Sequence, residues 1–480
     1  MRRRTSILLF ACAACAAVLA FGLRRAGPLE EPDEAAWIFS SYAFRLAFLT
    51  PGGLSSTEWK DADALDHPPI AKIYFGAFLA PAGLLPDSLA DKRLWFDRAF
   101  LPYDHAAFVA ALRERISARA LFLGRLANSA AILLACALVA LVGAEAVSAE
   151  AGAAAALLLV LAAVARAVAA QAVADGLFLA LELACAAAQA FWAADLARER
   201  RFCAARSLLC GALAGALFDV KISGALELAL LAAAVAAALT AAPRSKPLRG
   251  AAAASLATAA AAAAFVAVAL NPSLYREPCA FVLAMFRHRR ETVALQSLVY
   301  FGGELQNPLY RICGVLRGLF SPEGGACIGA ATAVLACAGA ADARRRVAAA
   351  PVFSRVIVVH GAAWTAATLA VYRLDWPRYV LPALPFICLL AARGAARLAV
   401  LRPGARARPA LLAVAAATAL IVPARVFTPL SYWFDHPEAY RRKIDAQIPY
   451  LLARYPNDRP LILRGEADSR ALLERLRGAP

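Results

Sequence analysis

The stretch DHPPIAKIYFGAFLAPAGLLP, from Asp66 to Pro86, decides how the rest of the chain is threaded. Its apolar part, residues 70–85, falls short of the ~20 residues a membrane-crossing helix needs, and it carries Lys72 near its start and Pro81 and Pro86 towards its end. It is therefore either a further span or a helix lying in the membrane interface. Charge separates the two. Arg2, Arg3 and Arg4 place the N-terminus inside by the positive-inside rule, and every later loop then acquires a side. If 70–85 does not cross, the basic loops Arg198–Arg201, Arg244–Arg249, Arg344–Arg346 and Arg393–Arg408 all fall in the cytoplasm. If it crosses, all four fall outside, against the rule. The interfacial reading prevails.

The spans on either side follow from hydropathy. The chain of 480 residues is 62% hydrophobic, with a mean hydropathy of +0.61. Apolar runs at 5–23, 117–143, 151–169, 176–195, 206–220, 222–242, 250–270, 323–340, 352–372, 378–399 and 408–425 predict an all-α polytopic membrane protein of about eleven transmembrane helices. Residues 1–426 form the membrane domain, with outer loops at 24–116 and 271–322 carrying interfacial helices, and 427–480 forms a small extracytoplasmic tail. The start, Met1–Arg4 followed by an apolar run to Leu23, resembles a signal peptide, but no small-residue cleavage site follows, so it reads as a retained first helix. The net charge of +17 resides in arginines of short loops, which argues for a membrane face and against a nucleic-acid partner. Eleven cysteines, mostly inside apolar runs, show no zinc-like spacing with histidine, so no metal site is read. The Ala-rich runs let membrane helices pack closely.

With sides assigned, polar residues gather at the outer helix ends. Asp33-Glu34 follows the first span and His67 precedes 70–85. Asp175 lies between the third and fourth spans, and Asp219 and Lys221 between the fifth and sixth. Asn271 leaves the seventh, Arg287-His288-Arg289-Arg290 follows on an amphipathic stretch, and Arg378 lies in the last outer turn. Carboxylates can take a proton from an attacking hydroxyl, while Lys and Arg can hold a phosphate leaving group. A lipid-phosphate-linked sugar needs both. Each residue also has a plainer role open to it: Asp33-Glu34 and Asp175 as helix starts, Lys221 as a snorkelling side chain, the arginines as headgroup binders. His67 can be a solvated loop residue. Glu182, midway along a span, is expected to be satisfied inside the bundle.

The ordered set Asp33-Glu34-Ala35-Ala36-Trp37, Asp66-His67-Pro68-Pro69-Ile70-Ala71-Lys72, Asp175-Gly176, Lys221 in the Gly211–Gly224 region, Asn271-Pro272, Arg287-His288-Arg289 with Gln296, and Trp376-Pro377-Arg378-Tyr379 resembles the bacterial relatives of dolichyl-phosphate-mannose protein mannosyltransferases. The likeness covers nearly all of residues 5–400 and implies the glycosyltransferase C fold. It implies Asp33 as general base, Asp175 as a second catalytic acid, and Glu34 and His67 at the acceptor or an ion site. Lys72, Lys221, Arg287, Arg289 and Arg378 would bind the donor phosphate. No cofactor is required, although a divalent cation fits the family. The partners implied are a polyprenyl-phosphate-linked sugar, a protein Ser/Thr, lipid or glycan acceptor, and membrane lipid, in a bacterial inner membrane with the N-terminus cytoplasmic and the C-terminus extracytoplasmic. Aminoarabinose transferases of lipid A carry acid-Lys-Pro-Pro where this chain has Asp66-His67-Pro68-Pro69, a departure that favours the mannosyltransferase-like branch. A transporter or flippase is the alternative of another class; it would place its polar residues near the midplane.

Overall fold

The structure, a computed structural model, describes residues 2–29, 32–60, 67–88, 105–241, 246–301, 326–346, 350–371 and 377–401, with scattered positions beyond 440. The described part is helical: α1 (Arg2–Arg25), α2 (Pro32–Ser40), α3 (Tyr42–Phe48), α4 (Pro69–Leu79), α5 (His105–Arg115), α6 (Ala118–Ala146), α7 (Ala149–Leu161), α8 (Ala163–Ala169), α9 (Asp175–Glu199), α10 (Ala204–Phe218), α11 (Leu226–Ala241), α12 (Lys246–Leu270), α13 (Pro278–Phe301), α14 (Ala326–Arg346), α15 (Val352–Val371) and α16 (Leu384–Leu401). The predicted spans fall on helices, 151–169 on two of them, except 408–425, which lies outside the described residues, as does most of the predicted tail 427–480. Among the described helices six are long and apolar enough to cross a bilayer, and α7 and α10 are apolar but shorter. The chain is a polytopic membrane protein.

The deciding stretch forms α4, a helix of 11 residues followed by a single 3-10 turn. At 1.5 Å per residue it is about 16 Å long, half the ~30 Å of a hydrocarbon core. Pro68 and Pro69 start it, since a proline in the first turn sacrifices no helical hydrogen bond. Its buried face of Ala71, Lys72, Phe75, Gly76 and Leu79 follows helical spacing, and the Tyr74 hydroxyl donates to the Ala127 carbonyl of α6 at 2.8 Å.

One predicted span is not continuous. The run 151–169 breaks at Ala162, whose backbone is extended (φ −61°, ψ 131°), so that α7 ends and α8 starts in a new direction. Side chains of α6 meet the far end of α8. Asn128 Nδ2 donates to the carbonyls of Val168 (2.5 Å) and Gln171 (2.9 Å), and Ser129 Oγ donates to that of Ala169 (2.6 Å), so side chains satisfy the end of α8. The caps of α6 and α7 are conventional: Ser117 accepts from the Ala120 amide and Ser148 from that of Ala151.

Helices approach closely where side chains are small. A Cβ on Gly211 or Gly215 of α10 would lie 2.1 Å and 2.4 Å from the carbonyl oxygens of Ala259 and Ala263 on α12, so these backbones touch directly. Ion pairs tie one end of the bundle: Arg4 with Glu145, Arg206 with Asp195, and Arg393 with Asp342 at 3.0 Å. Inside the bundle a separate polar hub joins three helices. Glu227 of α11 accepts from Gln189 Nε2 (2.9 Å) of α9 and from Trp364 Nε1 (2.9 Å) of α15, and its Oε2 lies 3.3 Å from His360 Nε2. Glu182, expected to be satisfied there, is fully buried, yet neither of its oxygens has a hydrogen-bond partner among the described residues.

Candidate functional site

The opposite end of the bundle carries the candidate site. Asp33 lies in the first turn of α2, where the helix dipole favours a carboxylate. Its Oδ2 accepts from Arg378 Nη1 at 2.7 Å. Asp175, the first residue of α9, accepts from Lys221 Nζ at 2.6 Å. The two pairs adjoin: Asp175, Lys221 and Arg378 line one pocket with Phe178, Leu179, Tyr379, Leu381 and Pro382. Lys221 sits in extended backbone (φ −149°, ψ 139°) between α10 and a 3-10 turn, and its Nζ lies 5.7 Å from the centre of the Phe178 ring. The guanidinium of Arg378 lies 5.9 Å from the ring centre of Tyr379. Four residues chosen from distant parts of the sequence, Asp33, Asp175, Lys221 and Arg378, thus meet in alternating charge.

The neighbouring residues explain why these groups are held so. Asn128 Oδ1 accepts from the Gly176 amide at 2.9 Å, which fixes the start of α9 and with it Asp175. A Cβ on Gly176 would stand 2.2 Å from that oxygen, so glycine is needed for the close approach. One turn earlier on α6, Arg125 makes a two-pronged contact with Glu34, Nε to Oε1 at 2.8 Å and Nη2 to Oε2 at 2.9 Å. Arg125 also donates to the carbonyls of Gly27 (2.5 Å) and Pro28 (3.2 Å), and the Ala172 amide donates to Glu34 at 2.9 Å. Glu34, expected at the acceptor or an ion site, is instead a buried brace. It is 1% exposed and its oxygens are taken up by the scaffold, so the correction is one of role. Arg125, Asn128 and Ser129 occupy one face of α6 at helical spacing, a pattern that could have been read from the sequence.

His67 packs edge-on against Trp37, 4.9 Å between ring centres at 82°, and lies close enough to Asp175 for a favourable electrostatic contribution. Lys72 is buried on α4 and is not among the pocket-lining residues. Arg287 and Arg289 do not line it either. Arg287 is exposed and shares a helical face of α13 with Leu283, Phe286 and Arg290, all exposed. That face lies outside the pocket. Arg289, half-buried, lies one turn beyond Met285, which packs on Phe218 and Ile222 beside Lys221. Asp66 and Trp376 lie outside the described residues. Among the described residues no group of three or more His, Cys, Asp or Glu side chains is arranged to hold a metal ion.

A second carboxylate braces the turn. Asp219, just past the end of α10, is fully buried; its carbonyl accepts from the Ile70 amide (3.2 Å) and its Oδ1 from Asn271 Nδ2 (3.2 Å). Oδ2 has no partner among the described residues, and burial pushes the carboxyl up to about 8, against the lowering effect of the Asn271 contact. Asn271 in turn accepts from the Ser273 amide, and Ser273 Oγ donates to the Trp59 carbonyl at 2.6 Å. The segment from Trp59 to Ile70 is tied at both ends to the Asp219–Asn271 region by these bonds.

Solved structures share the fold that carries this arrangement. ArnT from Cupriavidus metallidurans bound to undecaprenyl phosphate matches over 98% of this chain and 76% of its own length, with a TM-score of 0.50 and 15% identity. The fold is of the glycosyltransferase C type. The apo form of the same ArnT aligns over the same shares at 0.49 and 14% identity. The archaeal oligosaccharyltransferase AglB from Archaeoglobus fulgidus, in complex with an inhibitory peptide and a dolichol-phosphate, aligns at 0.42 and 13% identity over 91% of this chain and 58% of its own. No family model matches the sequence, and no curated protein matches it in a sequence search. Within a glycosyltransferase C frame, the ion-paired pocket gathers at the bundle end away from the basic loops, and the polar hub of Glu227 stays apart from it in the interior.

Proposed function

We propose that the chain is an inverting glycosyltransferase that moves a single sugar, mannose or a similar hexose, from a polyprenyl-phosphate donor to an acceptor hydroxyl at the extracytoplasmic face of a bacterial inner membrane. The observation that carries this reading is a pocket of a glycosyltransferase C fold lined by Asp175, Lys221 and Arg378, in which Asp175 pairs with Lys221 and Arg378 reaches out to Asp33. Asp33 takes the proton from the acceptor hydroxyl as its oxygen bonds to the anomeric carbon. The bond from that carbon to the phosphate oxygen breaks on the opposite face, and the electron pair leaves with the phosphate. Arg378 and Lys221 stabilise the charge that develops there. Phosphate is a good leaving group, so no acid is needed on its side, unlike the paired carboxylates of a glycosidase. The undecaprenyl phosphate held by ArnT suggests the carrier class, and no cofactor enters the scheme.

An aminoarabinose-type transferase stands as the second reading, favoured by the ArnT likeness. Purified protein in nanodiscs, offered either polyprenyl-phosphate-linked sugar with candidate acceptors, separates them by which sugar is released from its carrier. Release of neither sugar under any acceptor condition would count against transfer altogether.

A further inference from the structure

We infer that the donor phosphate and the Asp33 carboxylate compete for Arg378, so that the base is masked by its own cation until the phosphate arrives. The inference rests on the proposed transfer reaction and adds a regulation of its site. The four charged side chains sum to zero and each is already ion-paired, which is an unusual resting state for a pocket meant to receive an anion. The space enclosed by the lining residues is about 10 Å³, room for one water at most, so a phosphate has to displace a side chain to enter.

Of the two pairs, the one with Arg378 is the easier to exchange. Asp33 and Arg378 are 29% and 24% exposed, whereas Asp175 is only 10% exposed and would be left as a buried, unpaired carboxylate if Lys221 departed. Arg378 lines the same pocket as Asp175 while pairing with Asp33, so it can turn from one anion to another without leaving the pocket. A guanidinium presents its donors in a planar fork suited to two phosphate oxygens, so a phosphate can compete with the Asp33 carboxylate for it. Once the phosphate takes the fork, Asp33 is an exposed carboxylate beside the acceptor and can accept its proton. After transfer the proton passes to water, and Asp33 recaptures Arg378 as the lipid phosphate leaves. The swap thus makes base activation depend on donor arrival.

The test is binding of undecaprenyl monophosphate to the full chain in nanodiscs, comparing wild type with Asp33→Asn, and with Asp33→Ser as a second variant of different shape. Removing the competitor is expected to tighten binding roughly three- to tenfold. Arg378→Gln should weaken binding and erase that gain when combined with Asp33→Asn. Unchanged or weaker binding by both Asp33 variants overturns the competition, as does a gain that persists without Arg378. Sugar transfer measured on the same samples keeps the two ideas apart. Tighter binding with wild-type transfer would sink Asp33 as base and leave the competition standing; lost transfer without an affinity change would do the reverse.

Discussion

The two polar clusters of this molecule hold their carboxylates in opposite ways. At the bundle end, Asp33 and Asp175 each accept from a single cation, and Asp33, Lys221 and Arg378 keep about a quarter of their side-chain surface in reach of solvent. In the interior, Glu227 is 0% exposed and draws donors from α9 and α15 at once. A single partly exposed ion pair is worth little and exchanges readily. A buried acceptor with several donors is costly to disturb, because each donor is orphaned when it goes. The first arrangement suits a site whose partners change during a reaction, and the second suits a joint between helices.

That contrast predicts a double dissociation. Asp33→Asn should lower sugar transfer by about 10²–10⁴-fold, the range for loss of a general base, while the unfolding temperature in detergent stays near that of the wild type. A variant that transfers at the normal rate would remove Asp33 from the reaction. Glu227→Ala should do the converse, costing about 3–5 kcal/mol of stability by stranding Gln189, His360 and Trp364. It would be seen as a sharp fall in folded yield and unfolding temperature, and the folded remainder should still bind undecaprenyl phosphate. If Glu227→Ala left stability untouched, the hub would not be a joint.

The sequence made the helices and half of the site legible, for reasons that differ residue by residue. Apolar runs near the length of a bilayer were sufficient to locate the spans, and basic loops sorted their ends. The break at Ala162 was hidden because alanine and the apolar residues around it carry no local turn signal, and the bonds from Asn128 and Ser129 that hold the end of α8 come from another helix. Asp33, Asp175, Lys221 and Arg378 stood out because charge is rare in this chain away from its loops. Glu34 did too, but its neighbour in sequence gave it the wrong task. Arg125 was lost within a long apolar span, although two-pronged pairing to Glu34 across 91 residues is what holds α2 against α6. Arg287 shares an exposed face with Leu283, Phe286 and Arg290, a spacing visible in the sequence that sets it apart from the pocket residues.

A finer division lies within the bundle end, between groups that react and groups that hold them. Gly176→Ala should cost roughly 1–3 kcal/mol, since the added carbon meets Asn128 Oδ1 at 2.2 Å and overpacking strains its surroundings. Combining it with Asn128→Ala should cost less than the sum of the two single changes, because the clash and the lost hydrogen bond share one partner. Strict additivity in thermal unfolding would show that Asn128 does not set the position of Asp175.

The effect that depends on pH is expected at Asp219, which lies near Lys221 in sequence but is built like the interior hub. Its carboxyl is raised from the ordinary value of 3.8 to about 8 by burial, so the folded state favours the protonated form. The sign follows from linkage. The folded state binds the proton more tightly than the unfolded chain, so the stabilising contribution is complete below about pH 4 and is lost as pH rises through about 8. Asp219→Asn keeps the shape and cannot ionise. Its unfolding temperature should therefore match that of the wild type near pH 4 and exceed it by about 2–4 °C at pH 8, for each kcal/mol of difference. A gap that stays constant with pH would mean that the carboxyl does not change protonation across this range. It would then belong with the ion-paired carboxylates of the pocket, and the line between the two kinds of carboxylate would have to be drawn elsewhere.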